Sequence, residues 1–321
     1  MTNPTALPSE TAFRDVYTEL LKKGRKCSPR GQLVIELEHH TYELPAYARF
    51  PNFEGRKLSL DYIKREFLWY LRGNRMDASI TKYAKIWADV QNEDGSINSN
   101  YGQYIFARRY TPDGGNRSPF ERAVGELITD KDSRRASITI LNNNHLDSKT
   151  KDVPCTYSLN FRIRDDKLNM SVNMRSQDAV FGMGNDAPCF SFIHEMMLEA
   201  LKDTYPTISM GIYTHTADSF HVYERHFKLV QAIVDGAPYI PTECPFMNGI
   251  EEVRHLTFGI HSRYPLGVNA WCYDVLSQPR EPLMNFEVPK VSTFDKFSFS
   301  NWLLEPELAE ANTTPANGTP T

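Results

Sequence analysis

Residues 155–174 alternate apolar and polar side chains on both sides of a polar break. Cys155, Tyr157, Leu159, Phe161 and Ile163 lead into residues 164–167, and Leu168, Met170, Val172 and Met174 follow. A period of two interrupted by a short turn predicts a β-hairpin with one buried face. The turn sets the register, so Cys155 at the open end of one strand should face Arg175 at the open end of the other. The fold must then hold a thiol beside a guanidinium, with Ser176, Asp178 and the pair Asn185-Asp186 close behind in the chain. A nucleophilic sulfur, an anion-binding Arg-Ser pair and two acidic residues suit a thiolate enzyme that acts on a phosphorylated substrate.

The 321 residues are 40% hydrophobic and 24% charged, ordinary globular usage that allows one large core or two modest ones. The formal net charge is -4 and no block of like charge stands out, so neither a nucleic-acid polymer nor a membrane surface is an expected partner. A few local arginines still suffice for the phosphate of a free nucleotide. The cysteines (Cys27, Cys155, Cys189, Cys244, Cys272) number 5 and form no CxxC, which argues against a disulfide framework or a zinc site. No metal is expected, and the reducing cytoplasm fits best, a host's cytoplasm if the gene is phage-borne. Residues 1–10 lack a signal pattern, no apolar run approaches membrane-spanning length, and no internal repeat is present.

Ser59 precedes Leu60, Ile63, Phe67 and Leu71 on one helical face that Gly73 can end, with Glu66 on the flank. Ser118-Pro119-Phe120-Glu121 is a capping box ahead of the stripe Phe120, Val124, Leu127 and Ile128. Residues 136–141 and 208–214 are expected as strands and 188–202 as a helix. A further helix over 222–234, ending at Gly236, places His221 and Tyr223 at its opening. Residues 305–321 are rich in Ala, Thr, Asn and Pro and are expected to be disordered.

The strings Asp132-Ser133-Arg134-Arg135, Pro154-Cys155, Arg175-Ser176-x-Asp178 and His221-Val222-Tyr223, in that order, resemble the thymidylate synthase family. Ile97-Asn98-Ser99-Asn100-Tyr101-Gly102, Asn173-Met174-Arg175-Ser176, Val180-Phe181-Gly182 with Asn185-Asp186, and Arg225-His226-Phe227 are similar to its phage deoxycytidylate hydroxymethylase branch. The resemblance runs over residues 59–230. It is weak over 1–58, absent over 237–277, and resumes in Gln278-Pro279-Arg280-Glu281-Pro282 and Phe294-Asp295-Lys296-Phe297. It implies an N-terminal segment 1–58, a catalytic domain 59–304 with an insertion at 237–277, and a tail 305–321. The implied fold class is α/β (α+β), a mixed sheet with packed helices that pairs through the sheet as a homodimer with shared active sites.

That resemblance assigns roles. Cys155 would add as a thiolate to carbon 6 of a pyrimidine and make carbon 5 electron-rich, with Arg175 lowering the thiol pKa while holding phosphate. Ser176, together with Arg134 and Arg135 from the neighbouring subunit, would complete the phosphate site, and Arg30 beside Gly31 is a further candidate. His221 and Tyr223 would hold the sugar hydroxyl. Asp186 stands eight residues past Asp178, where thymidylate synthases carry an asparagine that reads uracil. A carboxyl there can deliver a proton to the ring nitrogen of cytosine, which favours a cytosine nucleotide. Asp178 and Trp87 would hold the pterin of 5,10-methylenetetrahydrofolate, and Glu66 would serve the water network that moves protons at carbon 5. Water on the last intermediate gives hydroxymethyl, a hydride gives methyl.

The expected activity is hydroxymethylation of deoxycytidylate. Methylation of the same nucleotide and hydroxymethylation of its ribose counterpart stay open, and a catalytically retired binding or scaffold homologue is the reading from another class. Retention of Cys155, Arg175, Asp178, Glu66 and His221 together speaks against retirement. Singly, each residue has an ordinary alternative. A free cysteine is commonly a small buried hydrophobe, Arg134 and Arg135 can be a solvated loop, and Asn185-Asp186 can cap a helix. Glu66 can be a surface charge, Trp87 core, Asp178 a turn residue, and His221 and Tyr223 packing groups.

Overall fold

Strand pairing organises the residues that the computed structural model describes, 6–110, 116–146, 150–257 and 298–313. In chain order the elements are helix α1 (Ala6–Lys23), strands β1 (Arg25–Cys27) and β2 (Val34–Leu44), and helices α2 (Leu60–Arg72), α3 (Lys85–Val90) and α4 (Gly102–Ile105). Strands β3 (Arg109–Tyr110) and β4 (Asn116–Arg117), helix α5 (Pro119–Thr129), and strands β5 (Ser137–Thr139), β6 (Thr156–Arg164), β7 (Lys167–Met174) and β8 (Gln177–Asp178) follow. Helix α6 (Phe181–Leu201), strand β9 (Ser209–Tyr223), and helices α7 (Phe227–Val234), α8 (Gly249–Thr257) and α9 (Phe299–Thr313) complete the order. A 7-stranded mixed sheet runs β1-β2-β9-β7-β6-β5, with β8 also on β9. Its β7–β9 and β8–β9 pairs are parallel and the rest antiparallel. This is the expected mixed sheet with packed helices.

The hairpin forms in the predicted register. Asp165 and Asp166 close it with φ of 50° and 54°, the two-residue turn whose twist suits the flanking strands. Arg164 pairs with Lys167 and Thr156 with Met174, with a bulge between Thr156 and Ser158. Arg175 N donates to the Cys155 carbonyl at 2.8 Å, so the two strand ends meet. In α2 the Ser59 side chain accepts from Tyr62 N, and Gly73 ends the helix in the left-handed region with φ 60°. Both halves of the Ser118–Glu121 capping box are present at α5.

Three expectations need correction. The helix placed at 188–202 begins at Phe181, because the Asp178 carboxylate accepts from Val180 N at 3.0 Å and from Phe181 N at 3.2 Å and starts it there. Gly182 and Gly184 suggest a break, yet Gly184 is small because the Arg56 guanidinium passes where a Cβ would stand. Asn185 and Asp186 are therefore helical and cap nothing. The strand placed at 208–214 continues to Tyr223, and the helix placed at 222–234 starts only at Phe227. Pairing with β2 on one side and with β7 and β8 on the other holds β9 extended, a tertiary demand that overrides local pattern. His221 and Tyr223 thus lie on a strand.

The tail is the third. Residues 305–313 are helical within α9, whose Phe299 and Leu303 are fully buried. Glu305 pairs with Lys64 at 2.5 Å, Glu310 with Arg65 at 3.0 Å, and Glu307 with Arg72, all cations of α2. Residues 314–321 lie outside the described residues, as do 258–277 of the expected insertion, the segment 278–282, the segment 294–297 and Cys272. Among the described residues no helix is long and apolar enough to cross a membrane.

The core lies under one face of the sheet. Every residue of α6 from 187 to 201 is buried, as expected of a helix surrounded on all sides. It packs against β7, β8 and β9 and against α2, α5 and α8. Residues 6–44 are built into this core, with Phe13, Tyr17 and Leu20 of α1 fully buried and β2 paired on both sides, with β1 and β9.

Candidate active site

Cys155 ends a loop held by a dense set of polar contacts. The Asp152 carboxylate accepts from Ser99 N at 2.7 Å and Ser99 Oγ at 2.6 Å, and Asn98 Nδ2 donates to the Asp152 carbonyl at 3.0 Å. Asn92 Oδ1 accepts from Lys151 N at 3.0 Å. From the hairpin side, Arg175 Nε donates to the Pro154 carbonyl at 3.1 Å and Nη2 to the Val153 carbonyl at 2.7 Å. The guanidinium thus clamps the backbone that leads into Cys155.

The half-buried Cys155 thiol is shifted up, whereas the sequence predicted a depressed pKa. Burial raises it most. The charges of Arg175 and Arg30 pull down, and Asp186 and Asp152 push up. In the free protein desolvation outweighs both guanidiniums. Arg30, in a left-handed conformation with φ 52° before Gly31, is brought within electrostatic reach of the thiol. Ser176 follows Arg175 and is half-buried.

Two carboxyls face each other across the site. Asp186, in the second turn of α6, accepts from Gln177 Nε2 at 3.0 Å. Burial raises its pKa to about 7, with the Gln177 bond lowering it and Asp178 raising it. Glu66 of α2 is 4% exposed, so it is no surface charge. Its pKa is raised to about 8 by burial and then by Asp186, against hydrogen bonding from Tyr70 and Tyr62. Tyr70 Oη donates to Glu66 Oε1 at 3.2 Å, while Oε2 is buried without a hydrogen-bond partner. Trp87 Nε1 donates to Tyr62 Oη at 2.7 Å and the ring packs on Trp69 with centroids 5.1 Å apart. Trp87 therefore abuts the Glu66 cluster.

His221 and Tyr223 share one face of β9, their rings edge to face at 5.1 Å. His221 Nδ1 lies 3.2 Å from Ser219 Oγ, and the backbone pairs His221 with Asp178 of β8. Arg134 and Arg135 are not brought to this site. Both are exposed, Arg135 lies 3.7 Å from Glu126, and Ala136 pairs with Phe161, well along β6 from Cys155.

Sequence patterns passed over Tyr62, Tyr70, Tyr101 and Gln177. Tyr62, Glu66 and Tyr70 recur at i, i+4, i+8 on one face of α2, a signal that could have been found. Tyr101 was visible only within a motif. Its pKa lies well above the usual value through burial and then the charges of Cys155 and Asp186, which places its hydroxyl close to both.

A thiol with a clamped backbone beside two carboxyls that hold their protons near neutrality can combine nucleophilic addition with proton transfer. Residues 11–257 match the family model for thymidylate synthase, and the chain belongs to that family. It is 33% identical over 180 residues to the deoxycytidylate 5-hydroxymethyltransferase of Enterobacteria phage T6, covering 54% of this chain and 71% of that protein. The phage T4 protein of the same description is 32% identical over the same shares. A deoxyuridylate hydroxymethyltransferase of Bacillus phage SP01 is 29% identical over 253 residues, 75% of this chain and 65% of its own. The chain is accordingly a folate-dependent pyrimidine-nucleotide hydroxymethyl- or methyltransferase, with methylenetetrahydrofolate as its one-carbon donor.

The carboxyl pair predicts how stability depends on pH. Both pKa values are raised above their unfolded values, the reverse of the usual case for acids, so the folded state holds protons that the unfolded chain has lost. The slope ∂ΔG/∂pH is then negative, and stability should fall from about pH 4 until both groups ionise near pH 7 and 8. Urea unfolding at pH 5 to 9 should show a shallower decline in a Glu66→Gln/Asp186→Asn variant than in the wild type. Equal slopes would mean that neither carboxyl is raised.

Proposed function

We propose that this enzyme hydroxymethylates deoxycytidylate at carbon 5. The observation that carries the reading is Asp186, a carboxyl raised to about 7 where a uracil-reading family member carries an amide. Cys155 Sγ adds to carbon 6, and the electron density displaced into the ring is met at N3 by the proton of Asp186. Arg175, Ser176 and Arg30 hold the phosphate, whose own charge settles near Arg175. His221 and Tyr223 hold the sugar. Glu66, with Oε2 unpartnered inside the Tyr62 and Tyr70 phenols, serves the water network that carries away the proton carbon 5 must lose.

The residues around Glu66 fit the folate donor: a buried acceptor without a partner, a half-buried Trp87 ring anchored through Tyr62, and Asp178 fixed by two backbone N–H groups. When bound, methylenetetrahydrofolate supplies a carbon at the oxidation level of formaldehyde, with Trp87 and Asp178 holding its pterin. Hydroxymethyl rather than methyl as the product is supported by the descriptions of both phage relatives.

The reading includes a homodimer. Arg134 and Arg135 stand too far along β6 to serve their own Cys155, and the face of the sheet away from α6 leaves Thr41, Glu43, Arg162 and Ile212 exposed. A second copy laid on that face would bring the arginine pair to its partner's phosphate.

Offered dCMP, CMP and dUMP with the folate donor, the enzyme should turn over dCMP best and release tetrahydrofolate. Dihydrofolate would mark methylation, and no turnover of any nucleotide would mark a retired scaffold. Asp186→Asn should lose roughly 10²–10⁴-fold in kcat/KM for dCMP, the range for removal of a general acid, and gain relative preference for dUMP. An unchanged dCMP to dUMP ratio would show that the base is read elsewhere.

Shared sites predict complementation. Cys155→Ala and Arg135→Ala chains should each be nearly inactive, while a re-equilibrated mixture regains activity, because each hybrid dimer holds one whole site. If mixtures stay inactive, the arginines do not serve a partner.

A further inference from the structure

Gln177 is 2% exposed on β8 and sits between two groups that no phosphate or sugar contact explains. Its Nε2 donates to Asp186 Oδ2 at 3.0 Å, and its Oε1 accepts from Tyr42 Oη at 3.0 Å. Tyr42 is 5% exposed, its ring stacked on His215 with centroids 5.0 Å apart and planes within 2°. Burial pushes the phenol well above its usual pKa, so it always carries a proton, and Gln177 Oε1 is the acceptor that the described residues give it. A reversed amide would leave that O–H buried and unsatisfied, which is unfavourable. The Tyr42 proton therefore decides which end of Gln177 faces Asp186.

We propose that Gln177, aligned by Tyr42, is a positioning residue that directs the proton of Asp186 to the ring nitrogen of cytosine, a role that rests on the reading of Asp186 as the group that meets that nitrogen. An N–H donor at Oδ2 makes that oxygen the carbonyl-type acceptor and leaves the proton on Oδ1. When cytosine is attacked, the Oδ1–H bond breaks and the N3–H bond forms. The carboxylate left behind is stabilised by the same Gln177 N–H, and the proton returns when the ring is restored. A reversed amide would instead accept the carboxyl proton itself and withhold it from substrate. The arrangement also keeps a buried acid from becoming too weak to give its proton at neutral pH, because the bond lowers a pKa that burial raises.

The groups facing Asp186 from other elements are Glu66 on α2, Asp178 on β8 and Cys155 before β6. Cys189 and the phenols Tyr62, Tyr70, Tyr101 and Tyr213 are also within reach of its charge, and burial holds all of these well above their usual values. Glu66 titrates near the same range, so its share of a pH profile is removed by measuring in a Glu66→Gln background as well.

The test measures kcat and KM for dCMP from pH 5.5 to 9, on the order of the span that brackets a shifted acid, in wild type, Gln177→Leu and Tyr42→Phe. Loss of the donor, or freedom of the amide to reverse, should move the basic limb up by about one pH unit and lower kcat by about 10-fold or more, with KM changed less. In an Asp186→Asn background neither substitution should add to the loss, since both act through that carboxyl. Tyr42→Phe retains the ring and its stacking, so it reports even if Gln177→Leu folds poorly. An unmoved limb in both variants, or losses additive with Asp186→Asn, would overturn the assignment. If Asp186→Asn leaves the dCMP to dUMP ratio unchanged, the base reading itself has failed. If that ratio moves while the limb stays in place, only the role of Gln177 falls.

Discussion

Desolvation of Glu66 and Asp186 is the interaction on which the rest of the site depends. A carboxylate taken from water into an apolar core is costly unless it is paired, and the cheaper outcome is retention of the proton. Neither carboxyl has a cation hydrogen-bonded to it. Their described partners are an amide, Gln177, for Asp186 and the phenols Tyr70 and Tyr62 for Glu66. The charge of Asp186 raises Glu66 further and that of Asp178 raises Asp186, so that α2 and α6 bring two weak acids near neutrality together. Two protonated carboxyls near neutrality can each exchange a proton with a bound group or with water.

The same helices show the alternative treatment of buried charge. Further along α6, Glu195 meets the buried Arg49 guanidinium and accepts from Met247 N at 2.9 Å. Glu199 accepts from Gly249 N at 3.0 Å, and Glu252 from Ser300 N and Oγ at 2.8 Å. These acids pin residues 247–249 and α9 to the core through charge-assisted bonds. Glu195 and Glu199 meet cations, Arg49 and Lys202, and Glu252 meets N–H and O–H donors, whereas no ion pair is formed by Glu66 or Asp186 among the described residues. The thiol follows the logic of the carboxyls: with a raised pKa it stays largely protonated until substrate arrives.

Helices α2 and α5 and the β6–β7 hairpin are legible from local signals, because Ser59, Gly73, the Ser118–Glu121 box and the two aspartates of the turn act within a few residues of themselves. The pairing of Cys155 with Arg175 was legible for the same reason. The first turns of α6 are not legible because Asp178, whose carboxylate accepts from Val180 N and Phe181 N, stands ahead of a glycine-containing stretch, and the room for Gly184 is set by Arg56, far away in the chain. The length of β9 was missed because its polar residues Thr214, Thr216 and Asp218 alternate onto the uncovered face while its neighbours hold it extended. The helical tail depended on the cations of α2. The raised thiol pKa was misjudged because adjacency to a guanidinium is visible in a motif and burial is not. Tyr42 and Gln177 meet only once β2, β8 and β9 are in register, and no spacing in the chain announces that.

The central claim is that Asp186 carries a proton at neutral pH in the enzyme before substrate binds. Its most direct test is a carbon-13 NMR titration of labelled aspartate carboxyls, with the Asp186 resonance assigned by its loss in Asp186→Asn. A midpoint at about 7 is the predicted result. A midpoint near 4, the value of an ordinary solvated aspartate, would contradict it.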